Sequence, residues 1–267
     1  MSTRFPALGA WSALLLAVGS ASALAVPLDQ TTSAWSAQFA REVDHRLDVP
    51  SADQARYVVL LKQALADAVL AAPAQVVLLI DRNPQVQAAF IVMHTADDAW
   101  LLLGATAVST GKVGTYNHFL TPLGVFPHTL DNPDFRAEGT LNENHIRGYG
   151  RRGMRVYDFG WQQAQRGWGT GAVSQMRLQM HATDPNVLEA RLGNVASEGC
   201  IRIPATLNTF LDSHGMLDAA YEQGVTAGEN LWVLMPDRQS ITQPGQYMVI
   251  VDSLTEMRPA WSPAPAP

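Results

Sequence analysis

The chain is short of two residue types that carry much protein chemistry. Its 267 residues include one cysteine, Cys200, and only two lysines, Lys62 and Lys112, so 18 − 2 = 16 of its basic residues are arginines. A single cysteine excludes an internal disulfide and any multi-cysteine zinc or iron–sulfur site. Net charge is −6, and no basic run exceeds the pair Arg151-Arg152. That balance argues against nucleic acid as a partner. Apart from the N-terminus, no apolar run approaches the ~18 residues that would suggest a membrane span. Glycine-rich phosphate loops are absent too. Gly148-x-Gly150 and Gly167-x-Gly169 lack both the strand-to-helix setting and the lysine, so no nucleotide is expected. What is present is globular: 47% hydrophobic residues and seven tryptophans, too apolar for a disordered chain.

Residues 1–25 read as a secretory signal. Arg4 precedes a small and apolar stretch, densest at Ala13 to Val18, and Ala23-Leu24-Ala25 supplies small residues at a cleavage site. The expected location is therefore exported, in the periplasm or cell envelope. In such a compartment a lone cysteine is either buried and inert or a thiol kept free for chemistry.

Residues 26–73 read as a small helical hairpin. Trp35, Phe39 and Val43 are spaced by four within a helix over 32–47. After Pro50, a second helix starts at Ser51, with Gln54 as its capping-box partner. From Gln75 the period changes. Strands are expected at 76–80, 88–93, 100–103, 175–180, 231–235 and 247–251, with a short helix from Thr206. Residues 175–180 alternate and put His181 at the strand's end, in opposite phase to Met176, Leu178 and Met180. The fold class expected is mostly β with a few helices, a sandwich or barrel. The catalytic domain is placed at 74–238, an extra C-terminal strand at 239–258, and a flexible Pro/Ala tail at 259–267. Residues 127–170 are either a functional lid or strand pairs hidden by weak periodicity.

A cysteine nucleophile needs a base and a place for the oxyanion. The run Ser197-Glu198-Gly199-Cys200-Ile201-Arg202 offers the thiol next to a glycine that permits close backbone approach. His181 is the histidine that a folded-back loop can bring to it.

These residues resemble the YkuD-type L,D-transpeptidases of the bacterial cell wall. That family carries a His, an interval much like the one here, then Ser/Thr-His-Gly-Cys, an aliphatic residue and Asn or Arg. In this chain 15 residues, Ala182 to Ala196, separate His181 from Ser197. Ser109-Thr110-Gly111 and Thr121-Pro122-Leu123-Gly124-Val125-Phe126 match two upstream family segments. The resemblance implies an L,D-transpeptidase-type catalytic domain that needs no cofactor or metal. Its partners would be peptidoglycan stem peptides. Cys200 would attack the diaminopimelate carbonyl of a tetrapeptide stem, release D-Ala and pass the acyl group to an amine. His181 would be the base, oriented by a backbone carbonyl near Ala182. Gly199 and Cys200 N–H groups would face the oxyanion, and Arg202 and Ser197 would bind substrate. Arg202 equally suits a structural salt bridge.

Glu198 departs from the family, which usually has a second His there. Facing inward, its carboxylate would raise the thiol pKa; the outward alternative, paired with an arginine, is the expectation here. Tyr116, His118 and Tyr149 are candidates to line the cleft, whereas His94, His128 and His145 are read as structural. Two other functions fit the same residues: an L,D-carboxypeptidase or amidase using water as acceptor, and a non-catalytic wall-binding protein.

Overall fold

The computed structural model describes Met1, residues 28–71 and residues 73–263, with side chains placed from Thr32 onward. The targeting segment expected over 1–25 lies outside the described residues apart from Met1. The chain is mostly β, with four helices among the described residues, none long and apolar enough to cross a membrane.

Strands β1 (Gln75–Asp81) and β2 (Ala88–His94) are buried at every position. Their side chains alternate between two cores: Val76, Leu78 and Ile80 enter one, Val77 and Leu79 the other. Hence these segments read as unbroken apolar runs. With β3 (Trp100–Ala107), β4 (Gly124–Pro127) and β9 (Tyr247–Val251) they form a five-stranded sheet in the order β3-β2-β1-β9-β4. The expected extra C-terminal strand is thus no appendage. It lies between β1 and β4, parallel to β1.

A second sheet has the order β5-β6-β7-β8, from β5 (Phe135–Arg136), β6 (Arg155–Gln165), β7 (Val173–Ala182) and β8 (Ile201–Ile203). Phe159, Met176, Leu178, Met180, Ile201 and Ile203 pack from it into the first core. Most of the stretch 127–170 left open by the sequence is turns and irregular chain; within it two residues form β5 and 11 residues form β6, which pairs with β7 along most of its length. Its weak periodicity comes from a register irregularity between Asp158 and Trp161.

The helical hairpin is not formed. α1 (Leu28–Glu42) sends Phe39 into the core between the sheets, and Gly104 gives it room, since a Cβ there would lie 2.2 Å from the Phe39 ring. α2 (Ser51–Asp67) sends Tyr57, Leu61 and Leu65 into the other core, on the opposite face of the five-stranded sheet. Each such burial stabilises by on the order of 2 kcal/mol. The helices separate because each has a different sheet face to cover. The capping box is also absent: Pro50 is the N-cap, and Gln54 Nε2 donates to the Val49 carbonyl at 2.8 Å.

Two further expectations fail. Residues 231–235 form turns, not a strand. Leu231, Val233 and Leu234 belong to a small separate core with Tyr221. The C-terminal tail is packed through residue 263: Trp261 lies against Phe90 and donates to Asp53 at 2.8 Å. Residues 264–267 lie outside the described residues. The helix expected from Thr206 is α3 (Ala205–Ser213), followed by α4 (Ala219–Thr226).

Candidate active site

β7 and β8 run parallel, and their register sets His181 beside Arg202 and Met180 beside Ile201. Cys200 immediately precedes β8. Since Ile201 and Ile203 point into the core, Arg202 and its neighbour His181 share the face turned away from it.

Three segments far apart in sequence meet around the cysteine. Ser109 exchanges two backbone hydrogen bonds with Arg202, at 2.9 and 2.8 Å. Thr110 accepts from the amides of Ala196 and Ser197. Thr121 Oγ1 donates to the Gly199 carbonyl at 2.7 Å and accepts from the Gly111 amide at 2.8 Å. Gly111 must be glycine, because a Cβ there would stand 1.9 Å from the Phe119 carbonyl. Gly199 adopts φ +131°, and a Cβ on it would meet Met176 at 2.8 Å. This turn is fixed before any substrate arrives.

His181 is 5% exposed. Its Nδ1 lies 2.8 Å from the Ala182 carbonyl, which makes that nitrogen the donor and leaves Nε2 as the free acceptor. Burial lowers its pKa to about 4, with the Ala182 bond opposing and Arg202 assisting. The ring is therefore neutral at pH 7. Burial likewise raises the Cys200 thiol, with Glu198 and Asp158 adding to the rise and Arg202 opposing it. Sγ points its proton at the Arg177 carbonyl, 3.7 Å away. At rest the thiol and the imidazole are thus both neutral.

Tyr149 is the one cleft candidate placed against His181. Its ring sits edge-on to His181 at 4.6 Å, and its hydroxyl donates to Gln179 Oε1 at 3.1 Å. Gln179 is held in turn, since its Nε2 donates to Asp158 Oδ2 at 2.9 Å. Asp158 also takes Arg177 Nε at 3.0 Å. One buried carboxylate thereby fixes the two residues flanking the sulfur. Tyr116 is exposed and touches Trp168, which packs on Phe119. The His118 ring bonds neither Cys200 nor His181. His94 is tied to Asp98 and the Pro73 carbonyl, and His145 is exposed.

Several expected roles change. Ser197 is 1% exposed, and its hydroxyl donates to the Cys200 carbonyl and accepts from the Gly199 amide at 3.1 Å. It locks the turn from a buried position. The Gly199 N–H is therefore occupied and unavailable to an oxyanion, which leaves the Cys200 N–H as the amide at that position. Arg202 makes no ion pair among the described residues; its Nη1 donates to the Ala196 carbonyl at 3.1 Å. Glu198 is exposed, but it pairs with no arginine among the described residues. Its charge nonetheless acts on Cys200, Tyr149 and Arg202. Glu198→Gln is accordingly expected to lower the apparent thiol pKa, an effect weakened by solvent screening. A pH profile of alkylation by a neutral reagent reads this; an unchanged or raised pKa contradicts it.

Thr121, Gln179 and Asp158 had no role assigned from sequence. Thr121 lay within a quoted motif, but nothing in a linear reading shows that its hydroxyl holds the Gly199 carbonyl. Among the described residues no group of three or more His, Cys, Asp or Glu side chains is arranged to hold a metal ion. In comparisons with known proteins, no family model matches the chain and no curated protein matches it.

Proposed function

We propose that the protein is an acyltransferase of the L,D-transpeptidase type, with Cys200 as nucleophile and its two sheets as that family's catalytic sandwich. The observation that carries the reading is the meeting of the 109–111, 121–126 and 197–202 segments around the only cysteine, beside a histidine whose Nδ1 is pinned by a carbonyl.

His181 Nε2 takes the thiol proton as Sγ attacks the diaminopimelate carbonyl of a tetrapeptide stem. The Ala182 carbonyl stabilises the imidazolium that forms. The Cys200 N–H faces the oxyanion. Collapse breaks the bond to D-Ala, whose nitrogen leaves with the proton from His181, and a thioester remains. An amine then attacks the thioester, His181 takes its proton, and Cys200 leaves as a thiol once that proton is returned. Arg202 offers a guanidinium with no carboxylate partner among the described residues, suited to a stem carboxylate. The setting is the cell envelope.

The test is the product formed from a tetrapeptide stem, read by mass. A cross-linked dimer with loss of D-Ala is expected. A shortened stem alone would replace the transferase reading with the hydrolase, and an unchanged stem would contradict both.

A further inference from the structure

We propose that a groove lined by residues 151–154 binds an anionic peptide segment through Arg151, Arg152 and Trp232. The site stands independently of the reaction proposed at Cys200. The groove has a volume of about 480 Å³ and is lined by Arg136, Arg151, Arg152, Asp212 and Trp232, among others.

Its charge is opposite to that of the chain. Three guanidiniums face one carboxylate, a local excess of 3 − 1 = +2 in a protein of net charge −6. The carboxylate is already used, because Asp212 is bonded by Arg136 and lies 3.4 Å from Arg155. Arg151 and Arg152 have no hydrogen-bonded or ionic partner among the described residues. Both are exposed.

These two guanidiniums hang from a fixed backbone. Ala137 pairs with the turn on both sides, donating to the Met154 carbonyl and accepting from the Gly153 amide, each at 2.8 Å. Gly139 packs against Arg152 so closely that a Cβ would stand 2.4 Å from the Arg152 nitrogen. Arg136 Nη1 also reaches the Gly153 carbonyl at 3.0 Å.

Trp232 also lines the groove. Its neighbours Leu231, Val233 and Leu234 enter the small core around Tyr221, whereas Trp232 is 69% exposed. In an all-apolar run expected to be a buried strand, the turns at 231–235 send this one large ring outward to the groove. A fork that takes two carboxylate oxygens beside a flat apolar surface fits a carboxylate carried on an aliphatic stem, as in an acidic peptide.

The experiment is calorimetric titration of the full chain with N-acetylated tri-glutamate, N-acetylated tri-glutamine and inorganic phosphate. Tri-glutamate is expected to bind and tri-glutamine not. The double variant Arg151→Gln/Arg152→Gln should weaken tri-glutamate roughly ten-fold, and Trp232→Ala several-fold, with thermal unfolding unchanged. No binding by the wild-type chain, or equal binding by the double variant, would overturn the site. Phosphate binding as tightly as tri-glutamate, with no effect of Trp232→Ala, would overturn its assignment to a peptide carboxylate.

Discussion

His181→Ala is expected to slow acylation of Cys200 by about 100-fold or more, the usual worth of a positioned base, without loss of the fold. The ring lies on the outward face of β7, outside the apolar core, so its removal leaves Met180 and Ile201 packed as before. The wild-type pH profile follows from the same burial. With His181 held at about 4, acylation should stay level as pH falls from 7 to 5 and decline only as the imidazole becomes protonated near 4. At the alkaline end the raised thiol keeps Cys200 protonated above the ordinary range. A single-turnover rate measured from pH 3.5 to 9 in wild type and variant checks both points, the bounds being about those of ordinary buffers. A decline centred near the unperturbed histidine value of 6.5 would show that His181 is not held neutral, or is not the base.

The second large effect lies behind the site. Arg155 is fully buried, with Nε 2.6 Å from Asp134 and Nη2 2.7 Å from Asp218. His128 is fully buried as well. Its Nδ1 faces the Leu217 carbonyl at 2.8 Å, and its Nε2 faces the Asp134 carboxylate at 2.9 Å. Both ring nitrogens point at acceptors, so both must donate and the ring is an imidazolium. Burial opposes that charge, but Asp134 outweighs it and raises the pKa, with Asp218 helping and Arg155 resisting. For Asp134, burial is outweighed by His128 and Arg155, and its pKa is lowered. Tyr157, Phe159 and Tyr221 close over the ring, and both phenols are held protonated by burial.

Arg155→Met leaves these carboxylates without their main cation and is expected to cost about 3–5 kcal/mol. That is a large part of a typical folding free energy of ~5–15 kcal/mol. In the wild type, the contribution of His128 is fully present below its unfolded value of 6.5 and disappears as pH rises through its higher folded value. That of Asp134 is present above 3.8 and disappears as pH falls through its lower folded value. Urea unfolding across pH should therefore show stability falling as pH rises above 6.5 and through the raised folded value of His128. A flat profile there would contradict a buried imidazolium, and a variant cost under 1 kcal/mol would contradict the role of Arg155.

The strands were legible where packing is simple. β1, β2 and β9 are short apolar runs bounded by turn residues, and each lies where the pattern puts it. β6 was hidden because its register shifts between Asp158 and Trp161, so no single period spans it. Residues 231–235 misled because five apolar residues look alike whether they form a strand or feed a side core. The hairpin reading failed because an amphipathic stripe tells that a helix covers something, not which sheet face it covers.

At the site, Cys200, His181 and the need for glycine at 199 could be read from the sequence. Which hydrogen bonds the turn consumes could not. Ser197 was expected at the substrate; the structure shows its hydroxyl holding the Gly199 amide, a local contact that a linear reading does not show. Asp158, Gln179 and Tyr149 form a chain of contacts across three segments, with no spacing in the sequence to announce it.

The most direct measurement is the intact mass of the protein after mixing with a tetrapeptide stem whose diaminopimelate side-chain amine is acetylated, so that it can acylate the enzyme but cannot accept. The wild-type chain should gain one adduct, equal to the stem less D-Ala, and Cys200→Ser should gain none. An adduct that persists in Cys200→Ser, or D-Ala released by that variant at the wild-type rate, would contradict Cys200 as the nucleophile.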